Sequence, residues 1–252
     1  MEKFTVDGLV IRVTVTGESD RIVWILTRSR GLIRAFAKGA RGTKSKLHGG
    51  TALFAYCDFS FYEKNNVYNV TEAQIKEVFF QFRDSFEKVT VAQYFCEVML
   101  HNVPEATDED FYLRLMLNSL HFLCGDKKPW LLVKSVFELR FACEAGYMPS
   151  LVACDFCGEY ETDRMYFDCK EGRLYCARCG EGRNLPRVPL SVVSAMRHIV
   201  YSPFEQCFAF SLAEECLPIL NLLTQHYLSR SLQQRFKTLD YLTIKTDNGS
   251  LS

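Results

Sequence analysis

The chain lacks most of what would make it a membrane protein, a secreted protein or a familiar enzyme. No apolar run approaches the ~18–20 residues that a bilayer span requires. The opening MEKFTVDGLVIRV alternates polar and apolar residues, whereas a secretory signal has a continuous apolar core, so a cytoplasmic setting is expected. Low-complexity tracts and internal repeats are missing. So are G-x-S-x-G, H-E-x-x-H, a strand-led G-x-G-x-x-G, and the H-x-E with P-C-x-x-C pair of nucleobase deaminases. Net charge is also missing: 30 Lys+Arg stand against 30 Asp+Glu, which argues against a dedicated nucleic-acid binder.

Cysteine, by contrast, is plentiful. Of 11 cysteines, Cys154, Cys157, Cys176 and Cys179 form a C-x₂-C-x₁₈-C-x₂-C array that matches the zinc-ribbon template. Each CxxC knuckle aims two thiolates at one ion, with Zn–S bonds of about 2.3 Å, and four thiolates close a tetrahedral shell. A closed shell leaves no position for water or substrate, so this Zn2+ is expected to be structural. Disulfides are the alternative, but a reducing compartment disfavours them and a redox CxxC would need only one pair. Several of the other cysteines, such as Cys96 in QYFCEVML, sit in apolar patterns and read as small buried hydrophobes. Cys169, 12 residues past Cys157, is the alternative ligand.

The charge is unevenly spread. Residues 1–50 hold ten Lys/Arg against four acids, while residues 51–153 hold nine against fourteen. A basic N-terminal fifth on an otherwise acidic chain points to a polyanionic partner. That same region reads as strands: Phe4–Val15, with Leu9, Ile11, Val13 and Val15 on one face, then Arg21–Thr27, LIRAFAK, Ala52–Tyr62 and Val67–Ala73. Glu63 to Asn66 make the last hairpin connection. Five strands in about 75 residues without a helix suit a small closed barrel, the five-stranded OB-fold foremost.

Alternation on the fourth strand puts Leu53, Ala55, Cys57, Phe59 and Phe61 inside and Phe54, Tyr56 and Tyr62 outside. Outward aromatics beside basic residues can stack bases and neutralise phosphates, which suits sequence-tolerant single-strand binding. The same aromatics could instead pack against the following domain. Arg34, Lys38, Arg41, Lys44 and Lys46, in and beside the glycine-rich loop KGARGTKSK, are the expected phosphate contacts. The loop does not fit G-x-x-x-x-G-K-[ST], so it is no nucleotide site.

Beyond Ala73 the period turns helical, first over EVFFQFRDSFEKVTVAQYFCEVML and then, after Pro104, from Asp108 to Leu123, where Asp108, Glu109 and Asp110 suit a helix start. A further helix from Pro129 carries Leu132, Val136, Leu139 and Cys143 on one stripe, with Lys134 and Glu138 paired outside it and Gly146 closing it. Pro189 opens another. The last runs from Ile219 towards Arg230, Arg235 and Lys237, with Pro218 either starting or kinking it and His226 read as a core-edge histidine. The expected architecture is α+β, with an OB-fold over residues 1–75 and a helical domain over 76–252 carrying an inserted ribbon at 150–183.

Three segments, taken together, resemble the RecO family of DNA repair proteins. They are Gly17-Glu18-Ser19-Asp20, Gly31 and Lys38-Gly39-Ala40-Arg41 in the first; Phe137-Glu138-Leu139-Arg140 with Gly146-Tyr147-Met148-Pro149 in the second; and HYLSRSLQQRFKTLDYL in the third. Some members of that family have lost zinc ligands, whereas this chain has all four. The resemblance implies a recombination mediator and no enzyme, residing in the bacterial cytoplasm and associated with the nucleoid. Such a protein binds single- and double-stranded DNA, anneals complementary strands, engages the single-strand-binding protein, and works with RecR so that RecA loads. The neutral balance departs from a strong DNA binder and implies modest, salt-sensitive affinity. Two rival classes remain: a zinc-containing scaffold that takes an acidic protein tail without touching DNA, and a zinc-ribbon nucleic-acid enzyme, which a metal-dependent turnover assay would separate.

Overall fold

The computed structural model describes residues 3–64, 67–103 and 110–242. Asn65, Asn66, Pro104, Asp108 and Glu109, to which hairpin and helix-start roles were assigned above, lie outside the described residues. The chain forms two compact units, Met1–Asp126 and Lys127–Ser252.

In the first unit, β1 (Lys3–Thr16), β2 (Asp20–Thr27), β3 (Leu32–Ala37), β4 (Ala55–Lys64) and β5 (Val67–Val78) close into a barrel of order β1-β2-β3-β5-β4. β3 and β5 pair in parallel and β4 returns antiparallel to β1, which gives the OB-fold. Its interior holds Val6, Val10, Val23, Ile25, Ile33, Ala35, Cys57, Phe59 and Phe61, all buried. Gly8 lets β1 and β2 approach closely: a Cβ there would lie 2.6 Å from Ile25 Cγ2.

A register shift between Val10 and Arg12 changes the faces of β1 from those that simple alternation predicts. The extra residue, Ile11, moves the inward set from Val6 and Val10 to Val13, so Leu9, Ile11, Val13 and Val15 do not share one face. Val15 is exposed. The fourth strand also begins later than expected, at Ala55. Leu53 and Phe54 lie in the preceding turn. Phe54 takes φ 66° and is buried edge-on against Phe82, with ring centroids 5.3 Å apart, so it is no part of an outward platform.

β5 runs on to Val78, and the expected helix from Glu77 starts only at Phe86. A 3-10 turn (Gln81–Asp84) intervenes, and Ser85 then caps α1 (Phe86–Asn102), its hydroxyl accepting from the Lys88 N–H at 3.3 Å. α2 (Phe111–Cys124) completes the unit.

The second unit is built on α3 (Trp130–Glu144), which packs against α5 (Leu190–Tyr201) and α6 (Leu217–Ser231). Between α3 and α5 in the chain comes a small sheet of order β7-β6-β8, from β6 (Met165–Asp168), β7 (Arg173–Cys176) and β8 (Arg187–Val188), with the one-turn α4 (Ala177–Gly180) after β7. Gly146 ends α3 at φ 87°, and the Tyr147 N–H reaches back to the Ala142 carbonyl at 2.8 Å. Pro218 sits in the first turn of α6 and starts the helix without kinking it.

Lys134 and Glu138 are indeed paired, Nζ to Oε1 at 2.7 Å, yet both are fully buried and not outside the stripe. α6 makes this possible. Lys134 Nζ also donates to Gln225 Oε1 at 2.9 Å, and the Thr224 hydroxyl donates to Glu138 Oε2 at 2.6 Å. A buried charge is tolerable only when paired and hydrogen-bonded in this way.

Candidate nucleic-acid interface and metal centre

On the outer surface of the barrel, strand register lines up three side chains. Trp24 on β2 faces Arg12 on β1 and Arg34 on β3. The Arg12 guanidinium carbon lies 4.8 Å from the Trp24 ring centroid and that of Arg34 lies 5.5 Å from it. Both arginines are exposed, Trp24 is half-buried, and neither arginine has an ion-pair partner among the described residues. One step along the same face stand Thr14, Ile22 and Phe36. In the other direction Leu9 and Leu26 are fully buried, where α1 and α2 pack on β1 and β2. The helices therefore cover one half of this face and leave the arginine–tryptophan half open.

The glycine-rich segment beside it is tied down at both ends. Arg41 donates to the carbonyls of Glu18 at 2.8 Å and Gly17 at 3.3 Å, so its guanidinium braces the β1–β2 turn. Arg21 holds the far end through the His48 carbonyl at 2.8 Å and Thr51 Oγ1 at 2.9 Å. Lys38, Lys44 and Lys46 remain exposed, without an ion pair among the described residues.

Tyr56 lies elsewhere, in a polar network. Its hydroxyl donates to Asp7 Oδ2 at 2.5 Å, and Arg28 Nε donates to both Asp7 oxygens at 3.0 Å. Arg28 reaches Asp110 at 2.9 Å, while Lys76 pairs with Asp58 at 2.6 Å and stands 5.3 Å from the Tyr56 ring centroid. The ring is half-buried and already has a cation over it. Burial alone would push the Asp7 carboxyl up, but the Tyr56 hydroxyl and the Arg28 guanidinium outweigh it and hold the group below its ordinary 3.8. Its stabilisation is therefore present above pH 4 and lost as the pH falls through the lower folded value. Asp7→Asn should cost about 1–3 kcal/mol at neutral pH and remove this acid-dependent part of the unfolding curve.

The four cysteines converge. Their sulfurs all lie within 4.8 Å of one another, and Cys157 Sγ is 3.6 Å from Cys176 Sγ. A tetrahedron with bonds of about 2.3 Å has edges of about 3.8 Å, so the spacing fits a bound zinc ion. Cys154 and Cys157 flank a turn closed by Gly158 N–H to the Cys154 carbonyl at 2.9 Å. Cys176 ends β7 and Cys179 lies on α4. The backbone N–H of Glu159 holds the Cys157 thiol down, to about 6, while burial pushes Cys179 up to about 12. Four sulfurs this close cannot all ionise without a cation among them. Cys169 is no substitute ligand. It follows β6 at the turn end of the β6–β7 hairpin, its sulfur 3.9 Å from the Leu223 carbonyl, whereas Cys176 closes the opposite end beside Met165.

Two family models cover almost the whole chain: Recombination protein O N terminal matches residues 1–79 and Recombination protein O C terminal matches residues 83–240. The chain belongs to the RecO family. It is 31% identical over 243 residues to the DNA repair protein RecO of Acetivibrio thermocellus, covering 96% of this chain and 97% of that one. It is 29% identical over 240 residues to the DNA repair protein RecO of Dehalococcoides mccartyi, covering 95% and 94%. The DNA repair protein RecO of Symbiobacterium thermophilum matches at 28% over 248 residues, covering 96% and 97%. Membership in this family of DNA repair mediators supports a role in repair and recombination. No helix among the described residues is long and apolar enough to cross a membrane. Within this RecO chain, Arg12 and Trp24 are the interface candidates that sequence reasoning missed. The signal available was a tryptophan in a β-rich run between two arginine-bearing strands.

Proposed function

We propose that this RecO-family protein is a recombination mediator that binds single- and double-stranded DNA through the open half of the barrel face, anneals complementary strands and, with RecR, helps RecA load onto DNA covered by the single-strand-binding protein. The observation that carries this reading is the Arg12–Trp24–Arg34 ladder on the OB-fold of a RecO chain. Guanidinium groups neutralise phosphates while an aromatic ring accepts any base, so binding tolerates sequence. Annealing needs the same combination, because the repulsion between two backbones must be screened while base edges stay free. Lys38, Lys44 and Lys46 extend the positive surface, with Arg41 bracing the loop that carries two of them. Tyr56 is engaged with Asp7 and Arg28, away from this surface, and is not one of its stacking residues. Cys154, Cys157, Cys176 and Cys179 hold one structural zinc ion, which leaves no open position for chemistry, in line with a non-enzymatic role in the cytoplasm, associated with the nucleoid.

Fluorescence anisotropy with a labelled oligothymidylate tests the reading. Arg12→Ala with Arg34→Ala should weaken binding and flatten the plot of log affinity against log salt by about 1.4, at ~0.7 per lost single-strand phosphate contact. Binding of the unaltered protein to an acidic peptide alone, with no retention of DNA at low salt, would favour the scaffold role instead.

A further inference from the structure

We propose that the C-terminal end of α6 forms a second phosphate-binding cleft, which takes a nucleic-acid backbone separately from the barrel face. The cleft has a volume of about 340 Å3 and is lined by His226, Ser229, Arg230, Gln233, Gln234 and Arg235. Every lining residue is polar and none is acidic. His226 and Arg230 are one helical turn apart, and both are exposed, so His226 is not the core-edge residue that the helical pattern suggested. Neither side chain has a hydrogen-bond or ion-pair partner among the described residues.

The chain then folds back. Gln233 takes a left-handed φ of 51°, and the Gln234 N–H donates to the Ser229 carbonyl at 3.0 Å. This turn returns Arg235 to the wall already formed by His226 and Arg230. Arg235 Nη2 meets the two Asp240 oxygens at 3.0 and 3.1 Å, which fixes the guanidinium and leaves its remaining N–H groups for a ligand. Complementing the carbonyl end of α6 would account for Arg230, but not for the turn that adds a second guanidinium, the one paired with Asp240. The lining side chains bring two guanidiniums, an imidazole, a hydroxyl and two amides to one place, and a phosphodiester needs such donors and positive charge. A chain that holds two backbones at separate places could bring two strands together. This role in strand pairing rests on the DNA-binding reading of the barrel.

The test uses the full chain at low salt and a short labelled oligothymidylate. With Arg12→Ala and Arg34→Ala in place, weaker residual binding should remain, and adding Arg230→Gln with Arg235→Gln should reduce it about tenfold. Arg230→Lys, which keeps the charge, should retain most of it and guards against a folding artefact. Residual binding unchanged by the α6 substitutions overturns the proposal. If the barrel substitutions leave binding at the wild-type level, the barrel reading fails, and the α6 pair introduced alone decides the cleft by the same tenfold criterion. If the α6 pair weakens an oligoglutamate peptide and spares the oligonucleotide, the cleft serves acidic polypeptides and the proposal is overturned.

Discussion

Replacing Cys176 with serine is expected to unfold the ribbon and to destabilise the helices it rests on. The β6–β7 hairpin is only four residue pairs long, and β8 adds two residues, too little sheet to stand alone in water. Met165, Phe167 and Leu174 are fully buried there and Tyr166, Tyr175 and Val188 nearly so, but six side chains on three short strands do not make an independent core. A zinc ion held by the four cysteines would supply the difference, since structural zinc in small domains contributes apparent binding energies of about 10–16 kcal/mol at neutral pH. The damage should spread. The Phe167 ring packs edge-on against Tyr227 of α6 at 5.8 Å, and the Tyr227 hydroxyl donates to the Tyr147 carbonyl at 2.9 Å. Gly172, in the hairpin turn, leaves no room for a Cβ, which would fall 2.7 Å from the Tyr227 hydroxyl. Elemental analysis of protein purified without chelator should give one zinc per chain, and the serine variant should have none and a lower melting temperature. An unaltered melting curve in the variant or under chelation would refute the structural role.

Truncating Glu138 to alanine should have the second-largest effect, a loss of about 3–5 kcal/mol, because it strands Lys134 as an uncompensated buried charge. Burial already lowers the Lys134 pKa, with the Glu138 carboxylate opposing that shift. The double replacement Lys134→Met with Glu138→Leu should cost much less than Glu138→Ala, since it removes both charges and keeps the volume. Urea unfolding of the two variants beside the unaltered protein measures this directly. Equal losses in the single and double variants would show that side-chain shape, and not charge, holds α3 against α6.

Local features were legible and long-range ones were not. The four-cysteine cluster could be read because the spacing of its two CxxC pairs is written into the local sequence, and the barrel because alternation and glycine-bearing turns set strand number. The β1 faces were misread because a single bulge at Ile11 reverses the alternation. The Arg12–Trp24–Arg34 ladder depends on that bulge and on two strand registers, none of which a single sequence displays. Phe54 was placed outside because the fourth strand was started three residues early, in a turn that needs positive φ. Lys134 and Glu138 read as a surface pair because helix periodicity does not reveal that Thr224 and Gln225, nearly ninety residues later, supply their remaining hydrogen bonds. The family resemblance, carried by motifs spread over the whole chain, survived each of these local errors.

Trp24 provides the most direct test of the central claim that DNA lies on the open half of the barrel face. The chain has two tryptophans, so Trp130→Phe leaves Trp24 as the sole indole. Titrating that variant with oligothymidylate at low salt should quench Trp24 fluorescence with the same midpoint as the anisotropy curve, and Trp24→Ala should cost about 1–3 kcal/mol in single-strand affinity with much less effect on duplex. Oligonucleotide binding that leaves Trp24 emission unchanged, with full affinity in Trp24→Ala, would contradict the account.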